Sequence, residues 1–211
     1  MTKIKICGLK SLEDVAIVNE VMPEYVGFVF AKSKRKVSKE LALQMRVALH
    51  PKIQVVGVFV KEPMEHIVDL CQEQIIDLVQ LHGEETLEYV QELRRKIKQP
   101  IIYAKRLAQT GERSKGDLPQ ELERFPTDYL LFDTYVKDVY GGSGKLIDYE
   151  GVPKLGKPFF LAGGLTEETV VKAIVSVKPY CVDVSSGVET DGRKDCEKII
   201  RFVQQVRGGS F

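Results

Sequence analysis

A chain of 211 residues with 44% hydrophobic side chains can bury one full core, or two small ones, without disulfide or metal support. Lys and Arg number 31 and Asp and Glu 30, a balance that argues against a nucleic-acid-binding surface and against an acidic solvating tail. No run approaches the roughly 18 apolar residues of a membrane span, and the opening "MTKIKICG" holds no apolar stretch long enough for a signal peptide, so a cytoplasmic domain is expected.

The first element is a strand, "KIKIC", ending in a thiol at Cys7 and broken by Gly8. Ser11 then reads as the N-cap of a helix, with Asp14 three residues on. Further short apolar or β-branched runs follow as "YVGFVF", "QVVGVFV", "DLVQLHG", "PIIYAKRL", "DYLLFDT", "PFFLAGG" and "YCVDVSSG". Helical periodicity lies between most of them, over 38–49, 64–74, 86–97, 166–177 and 191–206. The segment after the fifth strand is the least helical, and only 119–124 can form a short helix there. The strands are nearly continuous apolar runs, which suits a parallel sheet covered on both faces.

Eight βα units in a chain of this length predict an α/β fold, a compact (β/α)8 TIM barrel occupying 1–211 as a single domain. An open doubly wound sheet is the structural alternative, although no GxGxxG follows the first strand. In a barrel the carboxyl ends of the strands form the reactive face. The side chains predicted there are Cys7, Phe30 with the loop to Arg35, Val60, His82, Arg106 and Asp133. Gly163, Gly164, Ser185, Ser186 and Gly187 complete the ring.

Cysteines at 7, 71, 181 and 196 show no CxxC spacing and no neighbouring His, so neither a disulfide framework nor a metal site is expected. Cys71, Cys181 and Cys196 read as packing residues, and His50 and His66 as structural. The paired glycines of "LAGGLTEETV" and the "SSG" of "DVSSGVE" let backbone N–H groups approach an anion, and together they predict a phosphate site. "YGGSGKL" at 140–146, with Gly142, reads as a loop closing over substrate. It is not a nucleotide P-loop, because Val139 and Leu146 stand where that motif needs Gly and Ser or Thr.

Taken together, "KICGLK", "GFVF" with Ser33 and Arg35, "VQLHG", "LFDT...YGGSGK", "LAGGLTEETV" and "VDVSSGVE...GRKD" resemble the phosphoribosylanthranilate isomerases of tryptophan biosynthesis, from about residue 3 to 206. The resemblance implies an Amadori rearrangement of N-(5-phosphoribosyl)anthranilate to 1-(o-carboxyphenylamino)-1-deoxyribulose 5-phosphate. It implies Cys7 as general base, Asp133 as general acid and Arg35 at the anthranilate end. The family usually has Ser-Pro-Arg followed by an aromatic residue, whereas this chain has Ser33-Lys34-Arg35-Lys36.

Such a reaction needs an acid to open the furanose ring and a base to take the C2 proton. It involves no net redox change, so no cofactor and no metal are expected. A thiol base calls for a lowered pKa, which strand-end dipoles or Arg35 would supply. His82 either touches substrate or bonds backbone, and Asp183 is expected to be structural. Other readings are a related sugar-phosphate isomerase or epimerase on the same barrel, or a non-catalytic phosphate-ligand sensor. The small-molecule substrate is the one partner expected, with no nucleic acid or membrane, and a monomer is favoured.

Overall fold

The computed structural model describes residues 1–107, 118–133, 152–153 and 156–208. Eight strands run parallel and close in chain order: β1 (Lys3–Cys7), β2 (Tyr25–Val29), β3 (Gln54–Phe59), β4 (Leu78–Leu81), β5 (Ile101–Arg106), β6 (Tyr129–Asp133), β7 (Phe159–Ala162) and β8 (Cys181–Val184). β8 closes onto β1 with Lys3 opposite Cys181 and Lys5 opposite Asp183. Helices α1 (Leu12–Val21), α2 (Lys39–Ala48), α3 (Met64–Gln72), α4 (Leu87–Lys96), α5 (Leu118–Arg124), α6 (Val170–Val177) and α7 (Cys196–Gly208) surround the ring. The closed circuit excludes the open doubly wound alternative.

Alternation along each strand divides the core in two. Outward residues such as Ile4, Ile6, Phe28, Phe59, Val79, Leu130 and Val182 pack under the helices. Inward residues Tyr25, Val56, Val58, Ile102, Leu131 and Phe160 fill the barrel interior. At its amino-terminal end the interior is plugged by rings, with the Tyr25 and Tyr180 hydroxyls 3.0 Å apart and Lys3 Nζ donating to Tyr180 Oη at 2.6 Å. Towards the opposite end the inward positions become polar: Lys5, Gln80, Asp133 and Asp183.

The amino-terminal rim carries a repeated clasp. An acid just before each of three even strands accepts the first or second amide of the preceding odd strand. Glu24 Oε2 holds Ile4 N at 2.9 Å, Asp77 Oδ2 holds Val55 N at 2.8 Å and Asp128 Oδ2 holds Ile101 N at 2.8 Å. Each acid also faces an arginine from a helix of an earlier pair of units around the ring: Arg46 of α2 for Asp77, Arg94 of α4 for Asp128 and Arg207 of α7 for Glu24.

Helices follow the sequence closely where a capping side chain is present. Ser11, Ser38 and Thr86 accept from the amides of Asp14, Leu41 and Tyr89 as N-caps. The predicted helix over 191–206 begins later than expected. Asp191 and Gly192 both have positive φ, 50° and 73°, and turn a hairpin between β9 (Glu189–Thr190) and β10 (Arg193–Lys194). Asp195 caps α7 instead, accepting from Lys198 N at 3.1 Å. The helix expected from 166 likewise starts at Val170, because Thr169 Oγ1 bonds back to Thr166 N at 2.9 Å and holds a turn.

Candidate active site

Cys7 ends β1 with its side chain on the inner face, half-buried at the mouth. The backbone beside it is tightly fitted. A Cβ on Gly27 of β2 would lie 2.6 Å from the Cys7 sulfur, and one on Gly8 would lie 2.4 Å from Arg35 Cδ. Gly8 has φ +85°, so both conformation and space require glycine there. The Arg35 stem therefore runs directly over the residue after the thiol.

Arg35 is held by the loop that follows β2. Its amide donates to Ser33 Oγ at 3.1 Å, and Lys36 N donates to Ser33 O at 3.2 Å. This turn fixes the loop without the proline at position 34. The guanidinium forms a fork on Glu189, with Nε to Oε1 and Nη2 to Oε2 both at 2.7 Å. Glu189 also receives Lys194 Nζ at 3.0 Å, and the same ammonium donates to Ser185 O at 3.0 Å. Burial alone would raise the Glu189 pKa, but the Arg35 bond and Lys194 bring it down to about 2.

Beneath Cys7, Lys5 is fully buried and its Nζ lies 2.9 Å from Asp183 Oδ2. Burial pulls the Lys5 pKa down, yet Asp183 and Cys7 outweigh it and keep the ammonium charged. Asp183 is pushed up by burial against the pull of Lys5. Its Oδ1 has no hydrogen-bond partner among the described residues. Asp183 is buried and paired with Lys5 rather than open at the mouth. Burial also pushes the Cys7 thiol up, opposed by Lys5 and Lys194. This corrects the expectation of a lowered thiol, because Arg35, one of its two supposed supports, is committed to Glu189.

Across the mouth, Asp133 ends β6 and His82 follows β4. His82 Nδ1 pairs with Gln80 Nε2 at 2.9 Å, and His82 Nε2 is 3.6 Å from Asp133 Oδ2. His82 thus stands beside the carboxylate rather than merely bonding backbone. Asp183 lies within electrostatic reach of both residues, which ties this side of the mouth to the Lys5 side.

Gly163 and Gly164 follow β7 with φ of 101° and 63°. Ser186–Val188 forms a single 3-10 turn after β8, whose first amides are not used within it. A Cβ on Gly187 would lie 1.9 Å from Leu165 O, so the two glycine loops are in direct backbone contact. Ser185 Oγ donates to Cys7 O at 3.0 Å and joins this corner to the thiol's strand. Gly142 and the rest of 140–146 lie outside the described residues.

Cys71 and Cys181 are buried as expected, but Cys196 is exposed because it opens α7 rather than facing the core. His66 Nδ1 lies 2.7 Å from Glu62, and its ring meets Phe30 edge-on at 5.8 Å. Among the described residues no group of three or more His, Cys, Asp or Glu could hold a metal. Sequence reasoning assigned no role to Lys5, Gln80, Glu189 or Lys194. Lys5 was findable, since it lies two residues before Cys7 and must share its face of the strand.

A closed ring of eight parallel strands with helices outside, and a thiol, a carboxyl group and paired glycine loops at its carboxyl-end rim, defines a (β/α)8 barrel. The family model described as "N-(5'phosphoribosyl)anthranilate (PRA) isomerase" matches residues 4–205, and the chain belongs to that family. A relative from Endomicrobium trichonymphae, named N-(5'-phosphoribosyl)anthranilate isomerase, is 46% identical over 207 residues, covering 98% of this chain and 99% of its own. The crystal structure of phosphoribosyl anthranilate isomerase from Thermotoga maritima superposes with a TM-score of 0.80 at 37% identity, covering 99% of this chain and 100% of that one. A crystal structure of a phosphoribosyl anthranilate isomerase in complex with reduced 1-(o-carboxyphenylamino)-1-deoxyribulose 5-phosphate gives a TM-score of 0.75 at 34% identity, with 99% and 100% covered.

Proposed function

We propose that this chain isomerises N-(5'-phosphoribosyl)anthranilate to 1-(o-carboxyphenylamino)-1-deoxyribulose 5-phosphate in tryptophan biosynthesis. The observation that carries the reading is the placement of Cys7 at the end of β1 and Asp133 at the end of β6, both facing inward at one mouth. Asp133 gives its proton to the furanose oxygen as the C1–O bond breaks, with the anthranilate nitrogen supplying electrons to form the imine. The Cys7 thiolate takes the proton from C2, giving an enolamine. Protonation at C1 by the Cys7 thiol, with the C2 hydroxyl proton passing to the Asp133 carboxylate, then gives the ketone and restores both groups, with no net change in oxidation state.

Arg35 keeps three of its five N–H groups beyond the fork on Glu189, and these would meet the anthranilate carboxylate. The amides of Gly164, Ser186 and Gly187 would hold the phosphate, with Gly163 and Ser185 shaping the two loops. His82 would contact the sugar beside Asp133. Gly142 is proposed as a further contact on the grounds of sequence resemblance. One chain supplies every residue in this scheme, so a single-domain monomer suffices. A reducing cytoplasm suits a thiol base.

The test is the loss of anthranilate-linked fluorescence when purified protein meets substrate with no added cofactor. Turnover by the unaltered chain, lowered by about 10²–10⁴ in Asp133→Asn, is expected. Turnover unaffected by Asp133→Asn in a folded protein would overturn the assignment.

A further inference from the structure

One buried cation in the mouth has no part in the acid–base steps. Lys5 has no exposed surface, and an ammonium removed from water is costly unless it is matched. It is matched by Asp183, whose Oδ2 lies 2.9 Å from its Nζ, and Cys7 stands next to it on the same face of β1. Strand geometry places both neighbours beside it. Lys5 is opposite Asp183 in the β1–β8 register, and Cys7 is the next inward residue along β1.

The other charges around Cys7 are already engaged. Lys194 reaches it from β10 and Arg35 from the loop after β2, and both are paired with Glu189. Gly27 brings no charge from β2. His82 and Asp133 act on Asp183 from across the mouth. Asp183 itself repels a thiolate at Cys7.

We propose that Lys5 is a positioning residue for the base, and that Asp183 and the Cys7 sulfur compete for its single ammonium charge. This rests on the reading of Cys7 as the base, and it assigns Asp183 the task of limiting how much of that charge the sulfur receives. Removing the two neighbours should then act in opposite directions. Asp183→Asn takes away a competitor and a like charge, which favours the thiolate. Lys5→Met takes away the counter-charge, which favours the thiol. A merely structural pair would give disturbances without this opposition.

The experiment follows alkylation of Cys7 by iodoacetamide against pH, without substrate, in a Cys196→Ser background so that the exposed thiol does not interfere. Peptide mass spectrometry separates Cys7 from Cys71 and Cys181. The labelling midpoint should fall by about one pH unit in Asp183→Asn and rise by about as much in Lys5→Met, a roughly tenfold change in thiolate fraction each way. Should Lys5→Met fail to fold, the charge-neutral pair Lys5→Met with Asp183→Asn replaces it, and its midpoint should lie above that of Asp183→Asn alone. An unchanged or higher midpoint in Asp183→Asn overturns the proposal, as does a double variant that titrates with the single one. The acidic limb of kcat/KM should move with these midpoints. If the midpoints move and the limb does not, Lys5 controls the thiol but Cys7 is not the base.

Discussion

Replacing Glu189 by Gln keeps the side chain's shape and removes the charge that faces both Arg35 and Lys194. Burial works against the carboxylate, but its two cationic partners bring its pKa from an ordinary 4.5 to about 2. At about 1.4 kcal/mol per pH unit, that difference corresponds to about 3 kcal/mol of folding stability at neutral pH. The side chain is only 6% exposed, so solvent screening removes little of this. The neutral variant also leaves the Lys194 ammonium, whose side chain is 1% exposed, facing an amide instead of the carboxylate that balanced its charge. Because the folded pKa is depressed, the contribution is complete above about pH 4.5 and is lost as pH falls towards about 2. Urea unfolding at pH 7 should therefore place Glu189→Gln about 3 kcal/mol below the unaltered protein, with the gap narrowing below pH 4.5. A gap that is the same at pH 7 and pH 3, or under about 0.5 kcal/mol at pH 7, would refute the argument.

Cys7→Ala and Asp133→Asn should each lower kcat by about 10²–10⁴, the range for a positioned proton acceptor or donor, while binding of a product analogue in a fluorescence titration survives. Arg35→Ala should weaken product-analogue binding more than ribulose 5-phosphate binding, since only the former carries the carboxylate; equal losses would move Arg35 away from the anthranilate end. Gly187→Ala places a methyl 1.9 Å from Leu165 O, so the two glycine loops must part. It should raise KM for substrate and cost about 1–3 kcal/mol in thermal unfolding, and an unchanged KM would take this loop out of the phosphate site.

The barrel was legible because eight apolar runs alternate with helical patterns, and because Ser11, Ser38 and Thr86 cap helices through short local bonds. Cys7, His82 and Asp133 were legible as strand-end residues. The remainder depends on pairing across the ring. Nothing local in "KIKIC" says that Lys5 lies opposite Asp183, 178 residues away. Nor does the sequence around Glu189 reveal that its partner is Arg35. The hairpin at Asp191–Gly192 was misread as a helix start because Asp serves both as a cap and as a turn residue. The thiol's pKa depends on burial, which no local pattern records.

The three clasps on the amino-terminal rim give the ring a seam with a direction. Arg46 and Arg94 each reach forward from one pair of βα units to the next, joining neighbours that are also close in the chain. Arg207 reaches instead from the last helix back to the first pair, donating to Val21 O at 2.7 Å and Met22 O at 2.5 Å and standing 3.9 Å from Glu24. It closes a loop of 185 residues against 31 and 34, which adds about 1.5 kcal/mol of closure entropy. During assembly the forward clasps can form while the chain is still an open arc. The Arg207 contact can form only once α7 has come round to the first pair, so it works as a latch on a finished ring. Unzipping should start at that latch and reach β1, the strand that carries the thiol, before it reaches β6.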